Sequence, residues 1–314
     1  MWILRTALIL TCSAIASSPI PPADATHPVQ AIAESEFDRV LRDLRSRVLP
    51  DDIGTVRTDM NDPWIGTSEH YRVRALRSRK VAAISANILE NSYGLINEFL
   101  GVKRPPSRPF EAVIYPSIAE YNELGDARYD ERSSITGAFY ADDAADGFLA
   151  THDSPNNWNL LAQNLTYGAF QQYIAWAFPD ADLPAVFEQG IAAYFASWAT
   201  PTLAQYTKDQ FQILANGEDP DRPWIPLEGL IKSSRDTFTT RTADRFTELA
   251  QLTLFLQFHY PETRVLEDGS PGPFQEYVRL VFAGDRAAIR HPVRKLLIER
   301  TAVLEGAIKA YRGW

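Results

Sequence analysis

The sequence contains almost no cysteine: of its 314 residues, only Cys12 is one. A single cysteine excludes an intramolecular disulfide, and its position near the start leaves the rest of the chain without a cysteine-based metal site. Excess positive charge is also missing, because the net charge is −9. This argues against a nucleic-acid partner, since no surplus of basic groups is present to displace counterions from phosphates. After the first residues, no apolar run approaches the roughly 20 residues of a membrane span.

The first 16 residues have the features of a secretory signal peptide. Arg5 precedes the apolar run Ala7–Leu10, and Ala14–Ala16 supplies a small-x-small cleavage site. We therefore expect a secreted or periplasmic protein from which residues 1–16 are removed. The two residues before Cys12 make a poor lipobox, which disfavours lipid anchoring there, and the leader is too short to span a bilayer.

After the leader, the chain divides into three segments. Residues 17–68 are predicted to form a linker, a helix over residues 35–49 and a turn-rich stretch over residues 50–68. Residues 69–200 combine strands with helices, and residues 201–314 are predicted to form a helical subdomain. A mixed β segment followed by a helical half indicates the α+β class.

Periodicity assigns the elements of the two larger segments. Alternation predicts strands at Tyr71–Ala75 and Phe110–Tyr115, on either side of a helix Arg79–Leu100 that Gly101 closes. The loop Tyr260–Pro273 is rich in glycine and proline and is expected to be exposed. Apolar residues at helical spacing predict the remaining helices: Trp158–Phe178, Val186–Trp198, Leu203–Ala215, Ala243–His259, Phe274–Ala283 and Val293–Tyr311.

An acidic turn, Asp142–Asp146, separates two strand-like runs at Ile135–Tyr140 and Gly147–Thr151. A calcium loop is one interpretation of these carboxylates. The turn lacks the alternating oxygen ligands and the closing glutamate of an EF-hand. The sequence therefore favours a β-hairpin at this point.

Two neighbouring helical segments carry the most informative pattern. Leu165–Tyr173 reads L-T-Y-G-A-F-Q-Q-Y, and Leu183–Phe195 reads L-P-A-V-F-E-Q-G-I-A-A-Y-F. Their order, spacing and frame residues resemble the two metal-site helices of the gluzincins, the peptidase-MA-like superfamily of zinc metallopeptidases. In many secreted bacterial members, the first helix carries H-E-x-x-H and the second reads roughly P-x-W-x-x-E-G-x-A-x-Y-F.

The resemblance implies a zincin-like (thermolysin-like) fold with a small mixed sheet and two former metal-site helices. Tyr167 stands where the first zinc-binding histidine belongs, Gly168 where the catalytic glutamate belongs, and Gln171 where the second histidine belongs. Gln189 replaces the glutamate ligand of the second helix. Phe246 stands where members often carry a tyrosine that stabilises the transition state.

These replacements imply the loss of the metal and of catalysis. A neutral phenol and two neutral amides are poor zinc ligands. A glycine supplies no general base, a contribution worth about 100- to 10,000-fold in rate. The resemblance therefore implies a pseudopeptidase with no cofactor, no metal and no catalytic residue, which keeps a cleft for a peptide, a protein or a cell-wall component. The oligomeric state is left open.

Two other functions stay open on the sequence alone. An active hydrolase would need residues outside the known motifs, for example Asp182 with Glu188, because no G-x-S-x-G segment occurs. Glu188 does not replace Gln189 as a ligand, since one residue along a helix turns the side chain by about 100°. A helical scaffold without enzymatic ancestry would make the resemblance accidental. The histidines show no paired spacing and are interpreted as structural or surface residues: His27, His70, His152, His259 and His291.

Polar replacements at positions that should be buried suggest a hydrogen-bond network in place of the metal. Tyr167 and Gln171 are four residues apart, so they share one face of a helix. If Gln189 faces them, a phenol and two amides join the two helices. The alternative is a wet cleft lined by Tyr167 and Gln171.

Overall fold

The computed structural model describes residues 57–59, 64–76, 78–128, 138–141, 148–153, 157–179, 185–198, 225–232, 242–266 and 270–311. Several predictions fall outside these residues. They concern the signal peptide, the linker, the helix over residues 35–49, the acidic turn Asp142–Asp146 and the helix Leu203–Ala215. The proposed domain boundaries likewise stay predictions.

One mixed sheet contains the strands of the described residues. Its spatial order is β1-β2-β3-β4-β6-β5. The pairs β3–β4 and β4–β6 are parallel, and the other neighbouring pairs are antiparallel. The strands predicted at residues 71–75 and 110–115 are confirmed, and so is the hairpin. In chain order the strands are β1 (Arg57–Asp59), β2 (Trp64–Thr67), β3 (Tyr71–Ala75), β4 (Phe110–Tyr115), β5 (Ala138–Ala141) and β6 (Phe148–His152).

The other described elements are helices, some of which contact this sheet. The helix Thr242–Leu254 continues into a π-helical turn over Phe255–His259. In chain order the helices are α1 (Arg79–Leu100), α2 (Ile118–Arg128), α3 (Trp158–Ala177), α4 (Ala185–Trp198), α5 (Leu227–Ile231), α6 (Thr242–Leu254), α7 (Pro273–Phe282), α8 (Ala287–Arg290), α9 (Pro292–Glu299) and α10 (Thr301–Ala310). The α+β class is thereby confirmed.

Helix α1 ends where its sequence predicts. The Ser78 side chain accepts a hydrogen bond from the backbone N–H of Lys80 at 3.2 Å and caps the first turn. Gly101 adopts a φ of 71°, and its N–H donates to the carbonyl of Asn97 at 2.7 Å. A glycine suits this left-handed conformation because it has no Cβ. Both helix ends are therefore set by local sequence.

The expectation of a turn-rich stretch over residues 50–68 is wrong, because β1 and β2 lie within it. Strand β2 packs against α1 at unusually close range. A Cβ at Gly66 would lie 2.3 Å from the carbonyl oxygen of Ala82. The glycine that allows this approach also weakens the strand signal in the sequence, which explains the error.

The predicted helix Val293–Tyr311 is two helices, α9 and α10, separated at Arg300 with a φ of −117°. Arg300 donates a hydrogen bond to Glu262 at 2.9 Å, and the hydroxyl of Thr301 donates to the carbonyl of Leu297 at 2.6 Å. A hydroxyl bound to a carbonyl of the preceding turn competes with helical hydrogen bonding. The break therefore depends partly on a residue that is distant in sequence.

The prediction of an exposed loop at Tyr260–Pro273 is wrong at two buried positions. Tyr260 and Thr263 are 7% and 1% exposed. The hydroxyl of Thr263 donates to the carbonyl of Leu256 at 2.6 Å, which ties the loop to the end of the preceding helix. The other described residues up to Leu266 are exposed or half-buried, as predicted: Pro261, Glu262, Arg264, Val265 and Leu266.

Helix α4 lies between α3 and α6 and contacts both. Helix α3 also contacts α1, β5 and β6, so it lies between the sheet and the helical half of the chain. Apolar side chains from α1, α3, α4, α6 and β6 belong to one buried cluster. Helices α3 and α4 are therefore each packed between other described elements.

No helix in the described part of the chain is both long and apolar enough to cross a membrane.

Candidate functional site

Helix α3 positions the first half of the predicted site. Its N-terminus is capped by Asn157, whose side-chain oxygen accepts from the backbone N–H of Leu160 at 3.0 Å. Most of the helix is buried because neighbours cover it on more than one side. Polar side chains on α3 must therefore find hydrogen-bond partners inside the protein.

The predicted polar replacements meet between α3 and α4. The hydroxyl of Tyr167 donates a hydrogen bond to Oε1 of Gln189, and Nε2 of Gln171 donates to the same oxygen at 3.4 Å. Tyr167 and Gln189 are 2% and 5% exposed, which does not fit a wet cleft. The structure thus contains the hydrogen-bond network that the sequence suggested. We call these three residues the Tyr–Gln–Gln network.

The donor atoms of the Tyr–Gln–Gln network do not fit a zinc ion. An amide oxygen has two lone pairs, and Oε1 of Gln189 already accepts two hydrogen bonds. The Tyr167 hydroxyl uses its proton in the bond to Gln189, whereas zinc prefers thiolate, imidazole or carboxylate ligands. The network joins two helices with neutral groups, and no proton acceptor strong enough for general base catalysis lies among them.

Two glycines shape the surroundings of the network. Gly168, next to Tyr167, is buried in α3 and brings no side chain to the site. Gly190, next to Gln189, lets α6 approach α4, because a Cβ there would lie 3.2 Å from the hydroxyl oxygen of Thr253 and 3.4 Å from Cβ of Leu249. The structure describes the backbone of residue 246 within α6. The predicted place of the Phe246 side chain beside the site stays a prediction.

Helix α6 carries buried polar residues that sequence reasoning missed. Glu248 and Gln251 are 2% and 0% exposed, and α6 packs on α4. The amide oxygen and nitrogen of Gln251 have no hydrogen-bond partner within the described part of the chain. A glutamate and a glutamine three residues apart on an apolar helix face provided a signal, because this spacing puts both on one side. The buried surface of α6 is therefore more polar than the periodicity predicted.

Burial favours the neutral forms of three titratable groups on α3, α4 and β6. Burial raises the pKa of Tyr194 on α4 and of Tyr173 on α3, whose hydroxyl donates to Oδ1 of Asn97 at 2.6 Å. Burial also lowers the pKa of His152, at the end of β6, from its usual 6.5. Taking an ion out of water is costly, so each of these groups favours its uncharged state.

A separate cluster, Glu69–His70–Glu90, is the group of described residues with ligand atoms close enough for a cation, all within 4.8 Å of one another. Nδ1 of His70 lies 2.6 Å from Glu90 Oε1, and the backbone N–H of His70 donates to Oε2 of the same carboxylate at 2.9 Å. Both oxygens of Glu90 are thus engaged by His70. Glu69 is mostly exposed.

The geometry of this cluster favours a structural role over tight metal binding. The ring of His70 stacks on Tyr93 with centroids 3.9 Å apart. Burial raises the pKa of Tyr93, with added contributions from the charges of Glu90 and Glu69. Glu90 therefore fixes the segment before β3 onto α1. A cation would have to break the His70–Glu90 bond or bind His70 through Nε2, which is 4.0 Å from Glu69.

Comparison with known proteins adds no relative. No protein-family model matches the chain. Neither a curated protein nor a solved structure matches it.

Proposed function

We propose that this chain is a secreted pseudopeptidase of gluzincin type, with a zincin-like fold and a vestigial metal site at Tyr167, Gly168, Gln171, Gln189 and Phe246. The observation that carries the proposal is the meeting of Tyr167, Gln171 and Gln189 at one point. These are the positions where the family resemblance expects three zinc ligands. Random polar substitutions on two helices would rarely converge on one amide oxygen.

The order of elements supports the same proposal. Strand β3, helix α1, strand β4, the β5–β6 hairpin and helix α3 follow one another along the chain, as the resemblance requires. Helix α2, between β4 and β5, is an addition that the resemblance did not predict. The hydrogen-bond network then explains how a site without a metal keeps its two helices together, because buried polar groups need partners.

A peptide or protein is the proposed ligand. Strand β5 lies at one end of the sheet as described and contacts α3, the helix of Tyr167. A strand at the end of a sheet binds an extended peptide by adding it as a further strand, with main-chain hydrogen bonds supplying the affinity. This gives the pseudopeptidase a binding mode that needs neither metal nor base.

The test combines two measurements on the purified chain. Hydrolysis of fluorescent casein should be absent, because the mechanism lacks both base and metal, and a fragment mixture of the same casein should protect backbone amides of β5 from hydrogen exchange. Proteolysis that survives Tyr167→Phe would instead support an active hydrolase with other residues. Protection confined to segments away from β5 would contradict the proposed cleft.

A further inference from the structure

A cavity of about 340 Å³ lies away from the Tyr–Gln–Gln network, and none of the three network residues lines it. Its walls come from α4, α5, α7 and α9 and from the first residue of α10. Sites for small molecules are typically concave and about 300–1,000 Å³ in volume. This cavity is at the lower end of that range, with room for roughly eleven water volumes at about 30 Å³ each.

Most of the cavity wall is apolar. Val186 and Phe187 on α4, Ile231 on α5 and Leu297 on α9 contribute side chains to it. Such a surface favours the hydrocarbon part of a ligand, because each buried CH₂ group contributes about 0.8 kcal/mol. Ile298 lies at the cavity and is 52% exposed, so the cavity is open to solvent on that side.

One polar group of the wall has no hydrogen-bond partner among the described residues. Tyr277 is 6% exposed, and among the described residues its hydroxyl makes no hydrogen bond. Its ring is fixed by Phe187, edge-on at 5.6 Å, and by His291, stacked at 5.3 Å. The buried ring therefore holds the hydroxyl in a fixed position at the cavity, where it can donate to a ligand.

Among the described residues that line the cavity, the charges sum to one cation without a carboxylate partner. Lys232 and Glu228 form an ion pair with each other at 2.5 Å. Arg294 has no carboxylate partner among the described residues, and its contact there is with the carbonyl of Ile289 at the long distance of 3.5 Å. The charge of Arg294 opposes the effect of burial, which raises the pKa of Tyr277. Arg294 and Tyr277 both line the cavity, so one ligand there meets the guanidinium and the phenol.

From these features we propose that the cavity binds a small amphiphile with one carboxylate and an apolar tail. The guanidinium of Arg294 pairs with the carboxylate, the Tyr277 hydroxyl donates a further hydrogen bond, and the apolar wall takes the tail. An arginine matches a carboxylate in shape as well as in charge. One unpaired cation among the described lining residues fits a monoanion, whereas a phosphate monoester would bring a second negative charge that these residues do not neutralise.

Isothermal titration of the full chain with three probes of one tail length tests the head group. Octanoate is expected to bind, octanol to bind about tenfold or more weakly, and octylamine not to bind at all, because only the carboxylate satisfies Arg294. Equal affinity for octanoate and octanol would show that the cavity binds the apolar tail without recognising the carboxylate, and it would overturn the proposal. So would the absence of binding by all three probes.

Matched variants test the residues. Arg294→Gln should weaken octanoate binding about tenfold or more and leave octanol binding unchanged, while Arg290→Gln on neighbouring α8 should leave both unchanged. Ile298→Glu puts a negative charge at the mouth and should also weaken octanoate binding. Ile118→Glu, a change at a similarly exposed isoleucine on α2, should have no effect. Wild-type octanoate affinity in both Arg294→Gln and Ile298→Glu contradicts the assignment.

Discussion

Replacing Gln189 by methionine removes the shared acceptor of the Tyr–Gln–Gln network at nearly constant side-chain volume. The hydroxyl of Tyr167 then loses its bond to Gln189 while it stays buried. Removing one partner of a buried hydrogen bond costs about 1–3 kcal/mol. Gln171 is half-buried and reaches Gln189 at 3.4 Å, so its amide turns to water and adds little to the cost.

The reverse change, Tyr167→Phe, removes the main donor and leaves Gln171 to serve the oxygen of Gln189. Its cost should be smaller, about 0.5–1.5 kcal/mol. In the double variant the bond is absent from both sides. We expect the double variant to be less destabilised than the sum of the single variants by about 1 kcal/mol, as contacting residues couple by roughly 0.5–3 kcal/mol.

Urea unfolding followed by circular dichroism measures these free energies, with equal slopes as a check that the unfolded state is unchanged. Gln163→Met on the same helix is the matched control, because Gln163 is not in the network, and it should stay within about 0.5 kcal/mol of wild type. Additivity of the two single variants within about 0.3–0.5 kcal/mol would refute the reasoning. The two residues would then not depend on each other.

The remaining predictions concern packing, pH and metal. Gly190→Ala should destabilise the chain by about 1–3 kcal/mol, because its Cβ would lie 3.2 Å from Thr253, whereas Gly94→Ala, with nothing within 4 Å, should stabilise by up to about 1 kcal/mol; urea unfolding reads both. His152 has a folded pKa below its usual 6.5, so the unfolded state takes up the proton first. Stability should be fully present above about pH 6.5 and decline as the pH falls towards the folded pKa. His152→Gln should flatten this part of the stability curve, and an unchanged curve would exclude the histidine as its cause. Zinc titrated calorimetrically into the wild-type chain should bind weakly at Glu69–His70–Glu90, a signal that His70→Asn removes and Gln189→Met retains.

Much of the fold could be predicted because it is encoded locally. Helix α1 carries its own cap residues, Ser78 and Gly101, and β4 alternates buried and half-buried positions along F-E-A-V-I-Y. Helix α2 escaped prediction because its apolar residues do not recur at helical spacing, with Tyr121 buried and Ile118 exposed. The break at Arg300 was also missed, since it involves Glu262 in another segment. Such long-range contacts leave no periodic signal.

In the candidate site, too, local spacing could be predicted from the sequence, whereas contacts between distant segments could not. The four-residue spacing of Tyr167 and Gln171 was enough to place them on one face of α3. Their meeting with Gln189 depends on how α4 packs against α3, which is a contact between two separate segments of the chain. The cavity beside Tyr277 and Arg294 had no signal in the sequence, because its walls come from five helices that are separated along the chain.

Restoring the ligands is the measurement that tests the pseudopeptidase most directly. The variant Tyr167→His, Gly168→Glu, Gln171→His, Gln189→Glu is made in a His70→Asn background, which removes the Glu69–His70–Glu90 cluster, and a second variant omits Gly168→Glu to spare the buried helix a charge. We predict one zinc per folded chain, by mass spectrometry of the metal, for at least one of these variants, and none for His70→Asn alone. Stoichiometric zinc in the chain without the restored ligands, or folded restored variants that bind none, would contradict the account.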